Sequence, residues 1–168
     1  MPRQARLDFE GCLHHVINRG IERRKILTDQ KDYEFFRGAL GKLLVECQSK
    51  CYGWVLMPNH FHLLLETGKK PLAKLMNRLL TRYAGYFNRK YYRAGRLFQN
   101  RYKSIICDKD AYFMELVAYI HLNPLRAGLV NHLEELEKYL WSGHRDLIGL
   151  EKNDWYQRAY VLSWFGKF

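Results

Sequence analysis

The chain has 168 residues, 48% of them hydrophobic and 15% aromatic, with 28 Lys or Arg against 17 Asp or Glu and a net charge of +11. That length suits one domain with a sizeable core, and the composition excludes a disordered chain. No run approaches the ~20 apolar residues of a membrane span, and the start, Met1 to Glu10, lacks the apolar centre of a signal peptide.

The charge is concentrated. Between Glu66 and Asp108 lie 41 residues with eleven Lys or Arg and no Asp or Glu, while the other 127 carry 17 of each sign. Cations held together in this way repel one another, which predicts a polyanionic partner, and nucleic acid is the commonest. A membrane surface is the rival, but it needs a free apolar face that here is required for the core. Cys12, Cys47, Cys51 and Cys107 form no CxxC pair and no zinc-ligand spacing. Reduced, buried thiols and a cytoplasmic setting are therefore expected.

In chain order, residues 12–18 read as a strand closed by Arg19-Gly20. Asp29 is placed to cap a helix over roughly 31–47, where Tyr33, Phe36, Leu40, Leu43 and Leu44 recur at helical spacing. Residues 51–57 and 60–66 read as two strands joined at Pro58-Asn59, a hairpin. A second helix starts at Pro71 and runs to about Tyr91. Its stripe of Leu72, Leu75, Met76, Leu79, Leu80 and Tyr83 lies opposite Lys74, Arg78, Arg82 and Arg89, so one face packs and the other presents cations. Residues 92–100 read as a loop and 102–107 as a fourth strand; Asp108 caps a third helix, 109–122, which Asn123-Pro124 ends. This order suits an α+β fold of ferredoxin-like type, an antiparallel sheet with helices packed on one face. Residues 1–145 are expected to form the domain, with 146–168 a C-terminal extension packed on it.

Two groups of residues suggest chemistry. On a strand, His60 and His62 leave the same face while Phe61, Leu63 and Leu65 point to the other. Two imidazoles so placed can bind one divalent ion and leave positions open for substrate oxygens, although an HxH pair taken alone is more often a structural, hydrogen-bonded pair. On the third helix Tyr112, Leu116, Tyr119 and Asn123 share a face, and Tyr119 and Asn123 are one turn apart. A tyrosine beside a metal-bound phosphodiester can attack phosphorus, but such a ring also serves as core and Asn before Pro as a cap. Seven rings from Tyr83 to Tyr102 (Tyr83, Tyr86, Phe87, Tyr91, Tyr92, Phe98 and Tyr102) interleave with basic residues. That pattern can stack unpaired bases between phosphate contacts, although several of those rings are needed in the core. His14 and His15 face opposite sides of their strand, His121 is expected to be exposed, and His144 has no evident partner.

Taken together, five blocks resemble the HUH single-tyrosine transposases and, within them, the REP-associated tyrosine transposases. They are His15-Val-Ile-Asn-Arg19-Gly20; Met57-Pro-Asn-His60-Phe-His62-Leu-Leu; Gly95-Arg-Leu-Phe-Gln-Asn-Arg101-Tyr-Lys103-Ser; Tyr119-Ile-His-Leu-Asn123-Pro-Leu-Arg126-Ala-Gly128; and Tyr139-Leu-Trp141-Ser. The resemblance implies that His60, His62 and the amide oxygen of Asn123 hold Mg²⁺ or Mn²⁺. It implies that Tyr119 cleaves single-stranded DNA carrying imperfect hairpins, as in repetitive extragenic palindromes, through a 5′-phosphotyrosine that a different 3′-hydroxyl resolves. Lys74, Arg78, Arg82, Arg89, Arg96, Arg101 and Lys103 are the expected DNA contacts. The resemblance implies either a monomer or a homodimer. Relatives continue with a further basic segment, whereas this sequence stops at Phe168, so a truncated or a short form is expected. Two other functions remain at this point: a non-catalytic single-strand-binding module, and a metal-dependent phosphoesterase that uses water.

Overall fold

A computed structural model describes residues 5–166. Its centre is a four-stranded sheet of β1 (Leu13–Arg19), β2 (Lys50–Met57), β3 (His60–Glu66) and β4 (Lys103–Ile106), in the order β2-β3-β1-β4 with every neighbouring pair antiparallel. This is the ferredoxin-like arrangement expected from the order of elements.

The helices divide between the two faces. Helix α1 (Gln30–Cys47) and helix α2 (Leu72–Lys90) pack on each other and on the face that carries Phe61. The rings of Phe36 and Phe61 are 5.0 Å apart and those of Phe36 and Tyr83 are 5.1 Å apart. Helix α3 (Lys109–His121) lies against β2 and β3 on the opposite face, where Phe113 meets Tyr52 at 5.1 Å. Only two helices therefore share the face on which all were expected. The chain leaves the edge strand β4 through the short Cys107-Asp108 link and enters α3 on the side that α1 and α2 leave uncovered.

Both edges of the sheet differ in treatment. Along β2, Leu56 donates to the Trp141 carbonyl (2.8 Å), Gly143 donates to the Trp54 carbonyl (2.8 Å), and Gln157 donates to the Cys51 carbonyl (3.0 Å). Residues 139–143 and 156–157 thus cover that edge, and Tyr156 and Val161 are buried against it, the latter on the helix Arg158–Phe165. The β4 edge is open, with Ile105 and Ile106 half-exposed. No described helix is long and apolar enough to cross a membrane.

The ends of α1 and α2 are joined by one buried carboxylate. Asp29 and Asp32 form a capping box at the start of α1. Asp32, fully buried, also accepts from Thr28 Oγ1 (2.8 Å), Tyr86 Oη (2.9 Å), Tyr91 Oη (2.6 Å) and Lys90 Nζ (2.7 Å). Burial by itself would raise its pKa, but these donors, led by Lys90 and Tyr91, hold it well below the ordinary carboxylate value. A depressed folded pKa means that the stabilisation is complete above about pH 4 and is lost as pH falls below it. Asp32→Asn is expected to cost about 3 kcal/mol at neutral pH, measured by denaturant unfolding, and to flatten the fall in stability below pH 4. An unchanged acid slope in that variant would mean that Asp32 does not link the two helices energetically.

Candidate active site

The site is assembled on the face of the sheet that α3 only partly covers. Antiparallel register places His60 opposite Arg19, His62 opposite Ile17, and Ile17 in turn opposite Lys103. Directly paired residues share a face, so Arg19, His15, His60, His62 and Lys103 all project to one side. His14, the neighbour of His15, projects to the other.

Three imidazoles meet there. His15 Nε2 lies 3.0 Å from His62 Nδ1, with the rings stacked at a 5.2 Å centroid distance. The His60 and His62 rings are edge-on at 5.2 Å, and His60 Nδ1 lies 2.6 Å from Asn59 Oδ1. Burial pushes all three pKa values down. For His62 the neighbouring His15, His60 and Arg19 add to burial and bring it to about 3; for His60 the second cause is Arg19, and for His15 it is Lys103. The rings are therefore neutral at pH 7, the state in which imidazole offers a lone pair to a metal.

Tyr119 approaches from α3. Its ring stands edge-on to His15 and to His62, at 5.8 Å from each, and is 38% exposed, so the phenol is neither sealed in the core nor remote from the imidazoles. Asn123-Pro124 ends α3 and opens the short helix α4 (Asn123–Arg126). This reversal returns Arg126 over the Tyr119 ring, with its guanidinium carbon 4.6 Å from the centroid. Asn123 Nδ2 donates to the Tyr119 carbonyl (3.0 Å), which leaves Oδ1 as its unused acceptor. Beside Tyr119 an apolar groove of about 450 Å³ runs between β4 and α3, lined by Ile105, Ile106, Tyr112 and Leu116.

The donor set suits a small divalent cation. Among the described residues, neither His60 Nε2 nor His62 Nε2 has a hydrogen-bond partner, and an amide oxygen adds a hard ligand. A second group, Asp8, Cys12 and His14, brings three ligand atoms within 4.8 Å of one another on the other face. Its acceptors are already used: Asp8 takes hydrogen bonds from Thr67 Oγ1 (2.6 Å) and Leu72 N (2.8 Å), and Oδ1 lies 2.9 Å from His14 Nε2. That group fastens the N-terminal segment to the start of α2.

The cationic residues separate into two regions. Lys103 lies on the histidine face, and residues 97–99 dock beside Arg19 through Gln99 N to the Arg19 carbonyl (3.0 Å) and Ile21 N to the Leu97 carbonyl (2.9 Å). In that loop Arg96 is exposed and bonds the Gln99 carbonyl (2.6 Å), and Arg101 is exposed close by. Lys74, Arg78, Arg82 and Arg89 are exposed on α2, across the sheet from the imidazoles, and Arg78 is paired with Glu46 at 2.7 Å.

Several expectations need correction. Of the seven rings from Tyr83 to Tyr102, only Tyr92 is freely exposed (97%). Tyr83, Phe87 and Tyr102 are core, Tyr86 and Tyr91 hold Asp32, and Phe98 packs on Phe61, so this segment is not a stacking platform. His121 is buried, not exposed, because the Asn123-Pro124 reversal and residues 142–144 close over it, and His144 is its ring neighbour at 6.4 Å. Three site residues were missed: His15, Arg19 and Arg126. The alternation of residues 15, 17 and 19 on β1 signals a shared face for the first two, but the facing strand is not legible locally.

Residues 8–123, more than half of the chain, match the family model described as "Transposase IS200 like". The fold is shared with a solved structure of a REP-associated tyrosine transposase bound to a REP hairpin, at a TM-score of 0.69 and 21% identity over 92% of this chain and 91% of that one. A putative transposase from Deinococcus radiodurans R1 is also similar, with a TM-score of 0.47 and 15% identity over 73% of this chain and 95% of that one. No curated protein matches. The chain belongs to the IS200-like transposase family.

Proposed function

We propose that this transposase cleaves and rejoins single-stranded DNA with Tyr119 as the nucleophile, and that His60, His62 and Asn123 hold one Mg²⁺ or Mn²⁺ ion. The observation that carries the reading is the half-exposed Tyr119 ring set edge-on against His62 at 5.8 Å, beside two uncommitted Nε2 atoms. The bound cation would supply charge neutralisation at the scissile phosphate and orient it for in-line attack. Tyr119 Oη forms a bond to phosphorus as the bond from phosphorus to the 3′-oxygen breaks. The phenol gives up its proton and the departing 3′-oxygen gains one. Attack by another 3′-hydroxyl on the phosphotyrosine reverses both changes, so no nucleotide cofactor is consumed.

Around the reacting atoms this chain contributes cations rather than carboxylates. Arg126, above the Tyr119 ring, favours the phenolate as it forms, while Arg19 and Lys103 suit the flanking phosphates. The apolar groove beside Tyr119 has room for an unpaired base. The solved neighbour's REP hairpin supports an imperfect hairpin as substrate here. Arg96 and Arg101 would hold its backbone near the site, and Lys74, Arg78, Arg82 and Arg89 would hold DNA that passes round to α2. Free thiols at Cys12, Cys47, Cys51 and Cys107 fit a cytoplasmic setting.

Incubation with hairpin-bearing single strands is expected to yield a DNA–protein adduct that survives denaturing electrophoresis. The adduct should need Mg²⁺ or Mn²⁺, disappear on chelation and be absent in Tyr119→Phe, while Tyr112→Phe retains it. Cleavage without any adduct would favour the water-using phosphoesterase, and binding without cleavage would favour the non-catalytic module.

For the α2 row, Arg82 is the informative position because Arg78 already has an anionic partner. Arg82→Ala should weaken binding of all sequences and lower the salt dependence by about one unit of slope, with the cleavage rate of saturated enzyme unchanged. An unaltered slope would mean that DNA stays on the histidine face.

A further inference from the structure

We propose that Asn59 and His15 are positioning residues: each accepts the Nδ1–H of one ligand histidine, His60 and His62 respectively, and thereby leaves both Nε2 lone pairs free for a single cation. The inference rests on the reading of these histidines as metal ligands and adds what aims them. A neutral imidazole has one N–H and one lone pair, and the bond made by one nitrogen decides which of them the other presents. Two ligands that both coordinate through Nε2 must therefore both carry their proton on Nδ1, and something outside the ion has to enforce it.

For His60 the direction follows from chemistry. Asn59 Oδ1, 2.6 Å from His60 Nδ1, can only accept, so Nδ1 carries the proton. The amide is oriented because its Nδ2 lies 3.5 Å from the Arg23 carbonyl, which also can only accept. Asn59 is itself fastened, since its carbonyl accepts from Gly20 N at 2.9 Å. Behind this sits an unusual piece of backbone: Glu22 and Arg23 have φ of 54° and 59°, two adjacent non-glycine residues in the left-handed region. That turn aims the Arg23 carbonyl at Asn59. Gly20 permits the turn, because a Cβ there would stand 2.2 Å from the Arg24 carbonyl oxygen.

For His62 the partner is another imidazole, so either ring could donate across the 3.0 Å contact. Donation by His62 puts its proton on Nδ1 and frees Nε2. Donation by His15 would leave His62 protonated at Nε2, the atom that faces the site, and would prevent coordination. His15 is buried between β3, β4 and Tyr119, where its ring cannot turn away to water. Two different elements, the β2–β3 turn and strand β1, thus set the same tautomer in adjacent ligands.

The test reads the tautomers first and the metal second. In metal-free protein, two-bond ¹⁵N–¹H correlation spectra should show His60 and His62 both protonated at Nδ1. Titration with Mn²⁺, followed by the paramagnetic resonance of the free ion, should show His15→Ala and Asn59→Ala each binding about 10- to 100-fold more weakly than the parent chain. His15→Gln should recover most of that loss, because the Gln amide oxygen can accept where His15 Nε2 does. Asn59 lies in a half-exposed turn, so its variants remain informative should the buried His15→Ala fail to fold. Normal Mn²⁺ affinity in both alanine variants, or His62 protonated at Nε2 in the parent, would overturn the inference while leaving the metal reading intact. A parent protein that binds no Mn²⁺ would instead remove the metal reading, and the positioning role with it.

Discussion

Strand β3 lies in the interior of the sheet, buried on both faces, and its side chains have to alternate between two unlike environments. Phe61, Leu63 and Leu65 enter the core under α1 and α2, while His60 and His62 face α3. A slip of one residue would drive two imidazoles among hydrocarbon and expose a phenylalanine in their place, so the register is strongly specified. The Pro58-Asn59 turn fixes that register from β2, and the Ile17–His62 and Arg19–His60 pairs fix it from β1. Everything proposed for the site follows from this one alignment.

The electrostatics around the alignment are one-sided. Burial, helped by the nearby cations, keeps the three imidazoles uncharged, while the side chains of Arg19, Lys103 and Arg126 stand at the periphery. Neighbouring carboxylates are engaged elsewhere: Glu66, at the far end of β3, pairs with Lys109 and accepts from Tyr52, and Asp8 lies on the other face. A cluster of neutral nitrogen donors inside a ring of cations is suited to receive an anionic group together with a metal. That combination agrees with membership in a transposase family.

Rigidity is supplied from outside the site. Asp32 joins the start of α1 to the end of α2 and so braces the layer beneath β3. Residues 139–143 and 156–157 complete the outer edge of β2, which gives the C-terminal segment a structural part in the same sheet. The β4 edge, by contrast, is left open beside Tyr119.

Local sequence carried much of this. Periodicity located all four strands and the three long helices to within one or two residues, because each element is amphipathic or flanked by a strong signal: the caps at Asp29 and Asp108, the Pro58-Asn59 turn, the Asn123-Pro124 stop. It also put His60 with His62, and Tyr119 with Asn123, since those pairs lie within one element. What tertiary structure alone decided is which elements face each other. Helix α3 crosses to the face opposite α1 and α2, so the cations of α2 and the imidazoles of β3 end up on different sides of the sheet. His15 joins His62 across 47 positions of sequence, and the rings of residues 83–102 are consumed by the core and by Asp32. Local periods report which way a side chain points from its own backbone; they contain no term for the partner that pairing and packing bring to meet it.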